Sequence, residues 1–259
     1  MTPSAKILVM DEEISKTIYG CYPSQKPQYL GHQDIIQDWF MICAAWRWKG
    51  AKKINCVSLL DDPKRYKKNP FDDYHVVKTL RDVVAEADAI AGHNMENFDW
   101  KKLLERMAFY KLDPLPEIKI IDTLKMARKI GFSYANLDYL TKRLSLSEKA
   151  ETTGNKMWMN IVQGKGPEAI KECVAYCKRD IPPAEELLDR LLPYLPARYG
   201  INENLFRGDG VDCCPSCGST NFQKAGFKVT AVGKYPRCNC QDCGRWFQSG
   251  KVVKRVLMR

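Results

Sequence analysis

No long apolar run occurs in this 259-residue chain; the longest, Trp39–Trp46, has eight residues. A membrane-spanning helix needs about 20, so helical spans are excluded and no membrane partner is expected. The opening residues, Met1-Thr-Pro-Ser-Ala-Lys6, carry no basic segment followed by an apolar one. No secretory signal is read there, and a cytoplasmic location is expected. Internal repeats and low-complexity tracts are lacking. With 45% apolar and 28% charged residues, wholesale disorder is excluded as well. An even set of cysteines is also missing: there are eleven, which argues against a disulfide framework.

Charge is present but uneven. The net charge is +10, and the stretch from Arg207 onward holds ten basic and three acidic residues. A basic tail on a near-neutral body suits a polyanion such as nucleic acid, or is simply a soluble basic surface. Pro193, Pro196, Gly200, Gly208 and Gly210 mark Leu192–Asp212 as a linker. Two units are therefore expected, residues 1–200 and 207–259.

Within the first unit the hydrophobic period changes. Ala5–Met10, Trp39–Trp48 and Lys53–Leu60 read as strands, with a turn at Lys49-Gly50 and a loop over Asp61–Pro70. Val76, Val77, Leu80, Val83, Val84 and Ala87 mark one helix face, with Asp72 or Asp73 available as cap. Ala89–Gly92 and Ile118–Ile121 read as strands. Trp100–Ala108, Leu124–Lys129, Leu137–Leu144 and Pro167–Arg179 read as helices, and Pro182-Pro183 opens another through Leu192. A meander followed by alternating strands and helices predicts an α/β layer on a mixed sheet.

Three acidic clusters lie where these elements end. Asp11 and Glu13 are two apart, so in a strand both side chains share one face. Asp99 follows the Ala89–Gly92 strand, and Tyr176 and Asp180 are four apart in a helix, on one face. Carboxylates so placed can hold two Mg²⁺ or Mn²⁺ ions, because hard cations take oxygen ligands. Such a pair would activate water for phosphodiester hydrolysis. Asp122 and Thr123 read as a strand end and helix cap.

In their order these residues resemble the motifs of the 3′–5′ exonucleases of the DEDD superfamily, in the branch with tyrosine in its third motif. Asp-x-Glu corresponds to Asp11 and Glu13, Asn-x3-Phe-Asp to Asn94, Phe98 and Asp99, and Tyr-x3-Asp to Tyr176 and Asp180. The resemblance covers about residues 5–192 and implies a ribonuclease-H-like fold. It implies that Asp11 contacts both cations, Glu13 and Asp180 hold the ion that binds the attacking water, and Asp99 helps hold the second. Tyr176 would orient the water, and His93 would be a structural neighbour. Asn94, Phe98 and Ile14 would lie near the substrate. Ile14 stands where the family usually has Thr, and Glu12 adds a third acid. Pro182-Pro183, directly after Asp180, is expected to break or kink the helix. Similarity to phage and bacterial exonucleases of two-part layout implies a replication or repair setting, in a host cytoplasm if phage-encoded.

The remaining motif is in the tail. Cys214-Pro-Ser-Cys217-Gly and Cys240-Gln-Asp-Cys243-Gly are two Cys-x2-Cys-Gly turns, 22 residues apart. Four cysteines so spaced predict a closed, structural zinc site, with Cys213 and Cys238 as competing ligands. Strands are expected at Phe222–Thr230, Tyr235–Asn239, Arg245–Gln248 and Val252–Leu257, a layout that resembles zinc ribbons. Lys224, Lys228, Lys234, Arg237, Arg245, Lys251, Lys254, Arg255 and Arg259 interleave with Phe222, Phe227, Tyr235, Trp246 and Phe247. That pattern suits nucleic-acid binding, with protein docking as the alternative. The expected partner is single-stranded DNA, or RNA, with replication or repair proteins. The rivals are an exoribonuclease, an inactive adaptor and a structure-specific endonuclease or transposase.

Overall fold

Ile7, Leu8, Val9 and Met10 are all buried because both faces of their strand are covered. The computed structural model describes residues 5–24, 26–147, 154–206, 210–249 and 252–255. Arg207, Lys251, Arg259 and the end of Val252–Leu257 lie outside them. The strand, β1 (Ile7–Ile14), runs on through the acidic residues instead of ending before them. After a two-stranded ribbon, β2 (Ile18–Tyr19) with β3 (Ile35–Gln37), come β4 (Met41–Trp48) and β5 (Asn55–Ser58). Leu8–Glu13 pair residue by residue with β4, antiparallel, which holds β1 extended to Ile14.

The expected loop at Asp61–Pro70 contains a short helix, α1 (Pro63–Lys68). Asp62 accepts the Arg65 amide at 3.0 Å and Pro63 is preset for the first helical position. α2 (Tyr74–Val84) buries Val76, Val77, Leu80 and Val84. Asp72, not Asp73, accepts the Tyr74 amide. The Asp73 carboxylate is instead fully buried against Arg106, Tyr110 and the Met41 amide. β6 (Ala89–Gly92), α3 (Asp99–Phe109), β7 (Lys119–Asp122) and α4 (Thr123–Ile130) follow. The sheet order is β5-β4-β1-β6-β7, with β1, β6 and β7 parallel. β6 pairs with β1 only as far as Val9↔Ala91. The acidic end of β1 is therefore open on that side, at the carboxyl ends of the parallel strands, where open α/β sheets bind ligands.

α5 (Leu137–Leu144) and α6 (Asn155–Val162) lead to α7 (Pro167–Leu191), which packs on β1, β4 and β5. The expected break at Pro182-Pro183 does not occur; α7 is continuous over 25 residues. Proline in a helix interior costs about 3 kcal/mol. The carbonyls that lose their amide partners belong to Lys178 and Arg179, both exposed to water. Burial of Cys173, Cys177, Ile181, Ala184, Leu187, Leu188 and Leu191 along the same helix offsets the cost.

The stretch after α7 is more ordered than a loose tether. Leu192–Tyr194, Ala197–Tyr199 and Glu203–Leu205 form 3₁₀ turns, and Leu192 and Leu195 are buried. β8 (Phe222–Val229), β9 (Gly233–Cys240), β10 (Trp246–Gln248) and β11 (Lys254–Arg255) form a small sheet centred on β9. Among the described residues no helix is long and apolar enough to cross a membrane.

Candidate functional site

Strand alternation places Asp11 and Glu13 on one face of β1, beneath α7. Asp180 enters the same space from α7, and carboxylate oxygens of the three residues lie within 4.8 Å of one another. Tyr176 is one turn earlier on α7, half-buried, with its ring edge-on to Trp158 of α6 at 6.3 Å. Three carboxylates from two elements repel at this distance, and divalent cations relieve that repulsion. The donor set, all oxygen, fits Mg²⁺ or Mn²⁺.

Asp99 stands beside this triad and not within it. It opens α3, is 3% exposed, and lies within hydrogen-bonding reach of its own amide and that of Glu12. Burial pushes its carboxyl up to about 7; the two amides oppose this and the Asp122 charge adds to it. Its position depends on the loop before it. Asp122 accepts the amides of Asn94 at 3.1 Å, Glu96 at 3.2 Å and Leu124 at 2.9 Å. One carboxylate thus caps α4 and fixes the turn that leads to Asp99, as a strand-end cap should. Asn94 takes φ +65° in that turn. A Cβ on Gly92 would meet the Met10 carbonyl oxygen at 2.9 Å, so only glycine lets β6 come this close. His93 Nδ1 is 3.0 Å from Thr123 Oγ1. Phe98 is partly exposed just before α3, and Ile14 is half-buried at the β1 terminus.

Glu12 points to the opposite face of β1 from Asp11 and Glu13. It is 4% exposed, and among the described residues neither of its oxygens finds a hydrogen-bond partner. Burial, then the charges of Asp99 and Asp11, hold its carboxyl well above the usual range, against the pull of Lys102.

The four cysteines of the two turns also converge. Cys214 and Cys243 sulfurs are 3.6 Å apart and those of Cys217 and Cys240 3.7 Å. A disulfide requires about 2.05 Å, whereas ligands about 2.3 Å from one zinc ion form a tetrahedron with edges of about 3.8 Å. The two turns are built alike. Cys214 Sγ faces the amides of Ser216 and Cys217, and Cys240 Sγ those of Asp242 and Cys243. Gly218 and Gly244 have φ of +71° and +75° and donate to the carbonyls of Cys214 and Cys240. Burial pushes the Cys214 thiol up to about 11 and also raises Cys217. Burial works the same way at Cys240, yet the two amides and the Cys217 and Cys243 thiols lower it. Cys213 and Cys238 are buried but lie outside the cluster.

The aromatic residues of this sheet divide. Phe222 and Phe247 pair edge-to-face at 5.2 Å. Phe227 and Trp246 are about half exposed, under Lys234 at 4.0 Å and Arg237 at 4.9 Å respectively.

The sequence pattern of the RNase H superfamily matches residues 48–192. Among curated proteins none matches the chain. The fold is similar to that of the family B DNA polymerase from the hyperthermophilic archaeon Pyrobaculum calidifontis, with a TM-score of 0.55 and 16% identity. The aligned region covers 74% of this chain and 25% of the polymerase, so this chain spans only a quarter of that protein's length. A mixed sheet flanked by helices and a family match over more than half of the sequence lead to one assignment: the chain belongs to the RNase H superfamily.

Proposed function

We propose that the protein is a metal-dependent 3′–5′ exonuclease acting on single-stranded DNA, with a zinc ribbon that helps hold the nucleic acid. The observation that carries the reading is the convergence of Asp11, Glu13 and Asp180, with Tyr176 one turn from Asp180. Asp11, Glu13 and Asp180 would hold one Mg²⁺ or Mn²⁺, and Asp99 with Asp11 a second. Bound there, such ions make water a stronger nucleophile and neutralise the leaving oxygen. Tyr176 orients the water through its hydroxyl, and the ring contact with Trp158 fixes the side chain that carries it. The Asn94–Phe98 turn and Ile14 border the place where a terminal nucleotide would sit. Cys214, Cys217, Cys240 and Cys243 would hold a structural zinc ion with no open position. Phe227 and Trp246, exposed and flanked by cations, suit stacking on bases.

A time course on 5′-labelled single-stranded DNA with Mg²⁺ or Mn²⁺ tests this reading. A ladder shortening from the 3′ end is expected, with circular DNA left intact. Faster decay of a matched RNA would transfer the assignment to an exoribonuclease, and cutting of circles would overturn exonuclease action.

A further inference from the structure

A cleft of about 530 Å³ opens between the start of β4 and residues of α1, α2 and α3. That volume lies in the range of small-ligand sites. Buried Trp39 and Phe40 and half-buried Phe71 line its inner side, the Phe40 and Phe71 ring centres 5.2 Å apart. This side is tied to the end of β1. The Ser15 amide donates to the Phe40 carbonyl at 2.8 Å, and the Phe40 amide to Ser15 Oγ at 2.9 Å. α3 makes a second link to the acidic site, since it opens with Asp99 and Arg106 stands about 10 Å further along it.

Two guanidiniums of the lining are held flat by rings and carboxylates. Arg106 Cζ is 4.5 Å from the Phe109 ring centre, and Arg65 Cζ is 4.6 Å from that of Tyr74. Arg106 donates to the buried Asp73 carboxylate through Nε at 2.8 Å and through Nη2. Among the described residues its Nη1 meets no acceptor. Arg65 turns Nε and Nη1 to Asp62 and Asp72, which leaves Nη2 as a donor. Asn69 accepts the Phe71 amide through Oδ1 at 3.1 Å and keeps its side-chain nitrogen as a donor. Asp38 accepts the Trp39 amide through Oδ1 at 2.8 Å and keeps Oδ2 as an acceptor. Phe109, also of the lining, is 66% exposed. A structural role accounts for the Asp73–Arg106 pair, but not for an exposed phenyl ring beside unused donors.

The charges of the lining cancel, Arg65 and Arg106 against Asp38 and Asp72. A free anion would meet carboxylates as well as guanidiniums. A flat, neutral ligand edged with both acceptors and donors matches the cleft, and a nucleobase has that form. We infer that the cleft is a nucleobase site, separate from the acidic site. The base lies on the exposed ring of Phe109, and its edge pairs with the donors of Arg65, Arg106 and Asn69 and with the Asp38 acceptor. A base of a bound strand and a free nucleotide present the same chemistry. The strand as source rests on the proposed nuclease reading; the cleft itself does not.

The test uses the full-length, zinc-loaded protein with no free divalent cation, so that hydrolysis plays no part. Two photoprobes are compared: azidoadenosine monophosphate, and short single-stranded DNA carrying one iodouracil at successive positions. Labelled peptides are mapped by mass spectrometry. Labelling is expected within Asn69–Tyr74 or Glu105–Tyr110, with deoxyguanosine as a competitor and inorganic phosphate without effect. Phe109→Ala should raise the half-saturating probe concentration at least about fivefold, the loss of one stacking contact, and Phe109→Trp should restore it. Labelling near Trp246 of the ribbon should not change in either variant. Labelling of the cleft by one iodouracil position identifies the strand as source, and labelling by the free probe alone identifies a free nucleotide. No labelled cleft peptide with either probe, equal saturation in Phe109→Ala, or competition by phosphate equal to that by deoxyguanosine would overturn the proposal. A labelled cleft in a protein that fails to degrade DNA would remove the nuclease reading alone, and an unlabelled cleft in an active nuclease would remove this one alone.

Discussion

Arg245, which directly follows the second Cys-x2-Cys-Gly turn, donates through Nη1 to the Leu192 carbonyl at 3.2 Å, where α7 ends. Its Nη2 donates to the Leu195 carbonyl at 2.9 Å, and Nη1 also reaches Ser216 Oγ. Arg245 is 4% exposed; burial lowers its guanidinium from the ordinary range, and the charges of Cys214, Cys243 and Cys217 oppose this. One side chain thus satisfies carbonyls after α7 and lies against the two cysteine turns.

Arg245→Met should therefore loosen the contact between ribbon and body. The Leu195 carbonyl loses its donor, while the Leu192 carbonyl keeps that of the Leu195 amide at 3.3 Å, and the expected cost is about 1–3 kcal/mol. Chemical denaturation should show that loss, and cleavage between residues 193 and 212 should quicken in limited proteolysis. Unchanged stability and protection would mean that the ribbon is held by other contacts.

A second outcome concerns the acidic triad. Asp180→Asn removes one of three repelling charges. Without divalent cations the variant should melt at or above the wild-type temperature, and Mn²⁺ should raise its Tm less than that of the wild type. Hydrolysis should be abolished in Mg²⁺. Asp11→Asn should behave likewise, and near-normal activity in either would remove the site from the reaction.

Asp99 predicts how the cation-free protein responds to pH. Its carboxyl titrates near 7 when folded, against 3.8 for the ordinary group. Between those values the native state holds a proton that the unfolded state has released. Stability is thus fully present below about pH 4 and falls, as pH rises towards 7, by about 1.4 kcal/mol per unit from this group. Glu12, also raised, acts in the same direction. Denaturation of Asp99→Asn across pH 4–7 should show a shallower slope than the wild type, and an equal slope would contradict the burial argument.

Strand and helix periods made two pairs legible in the sequence, Asp11 with Glu13 and Tyr176 with Asp180, and the motif resemblance joined the pairs into one site. It did not reveal that Asp99 stands apart. Asp99 is placed by a turn clamped to Asp122, and the Asn94–Asp122 bond spans 28 residues. α7 misled in the other direction: proline chemistry forecasts a break or a kink, and the helix runs unbroken through both prolines with one face buried across the sheet. The turn cysteines were legible throughout, because their spacing and following glycines are local requirements of the geometry.

Tyr176→Phe keeps the ring beside Trp158 and removes only the hydroxyl. Under the proposed reaction kcat should fall roughly 10²-fold while substrate affinity changes little, as for loss of a group acting on the attacking water. Steady-state kinetics on a short oligonucleotide separates the two parameters. A rise in KM at constant kcat would instead make Tyr176 a binding residue.

Zinc removal tests the ribbon. Under the proposed zinc site, Cys240→Ser leaves three sulfurs where a closed site needs four, and a small sheet that holds a structural metal draws folding energy from it. The variant should lose zinc, and with it the arrangement of Lys228, Lys234, Arg237, Phe227 and Trp246. When fewer phosphates are neutralised, fewer counterions are released. The slope of log K against log[salt] on a single strand should therefore flatten by about 0.7 for each phosphate that the variant leaves unpaired. Binding to long single strands should weaken most at low salt. Turnover at saturating substrate should fall far less, because every carboxylate of the acidic site remains. Equal affinity and equal salt slope for variant and wild type would take nucleic-acid binding away from the ribbon and leave protein docking as its role.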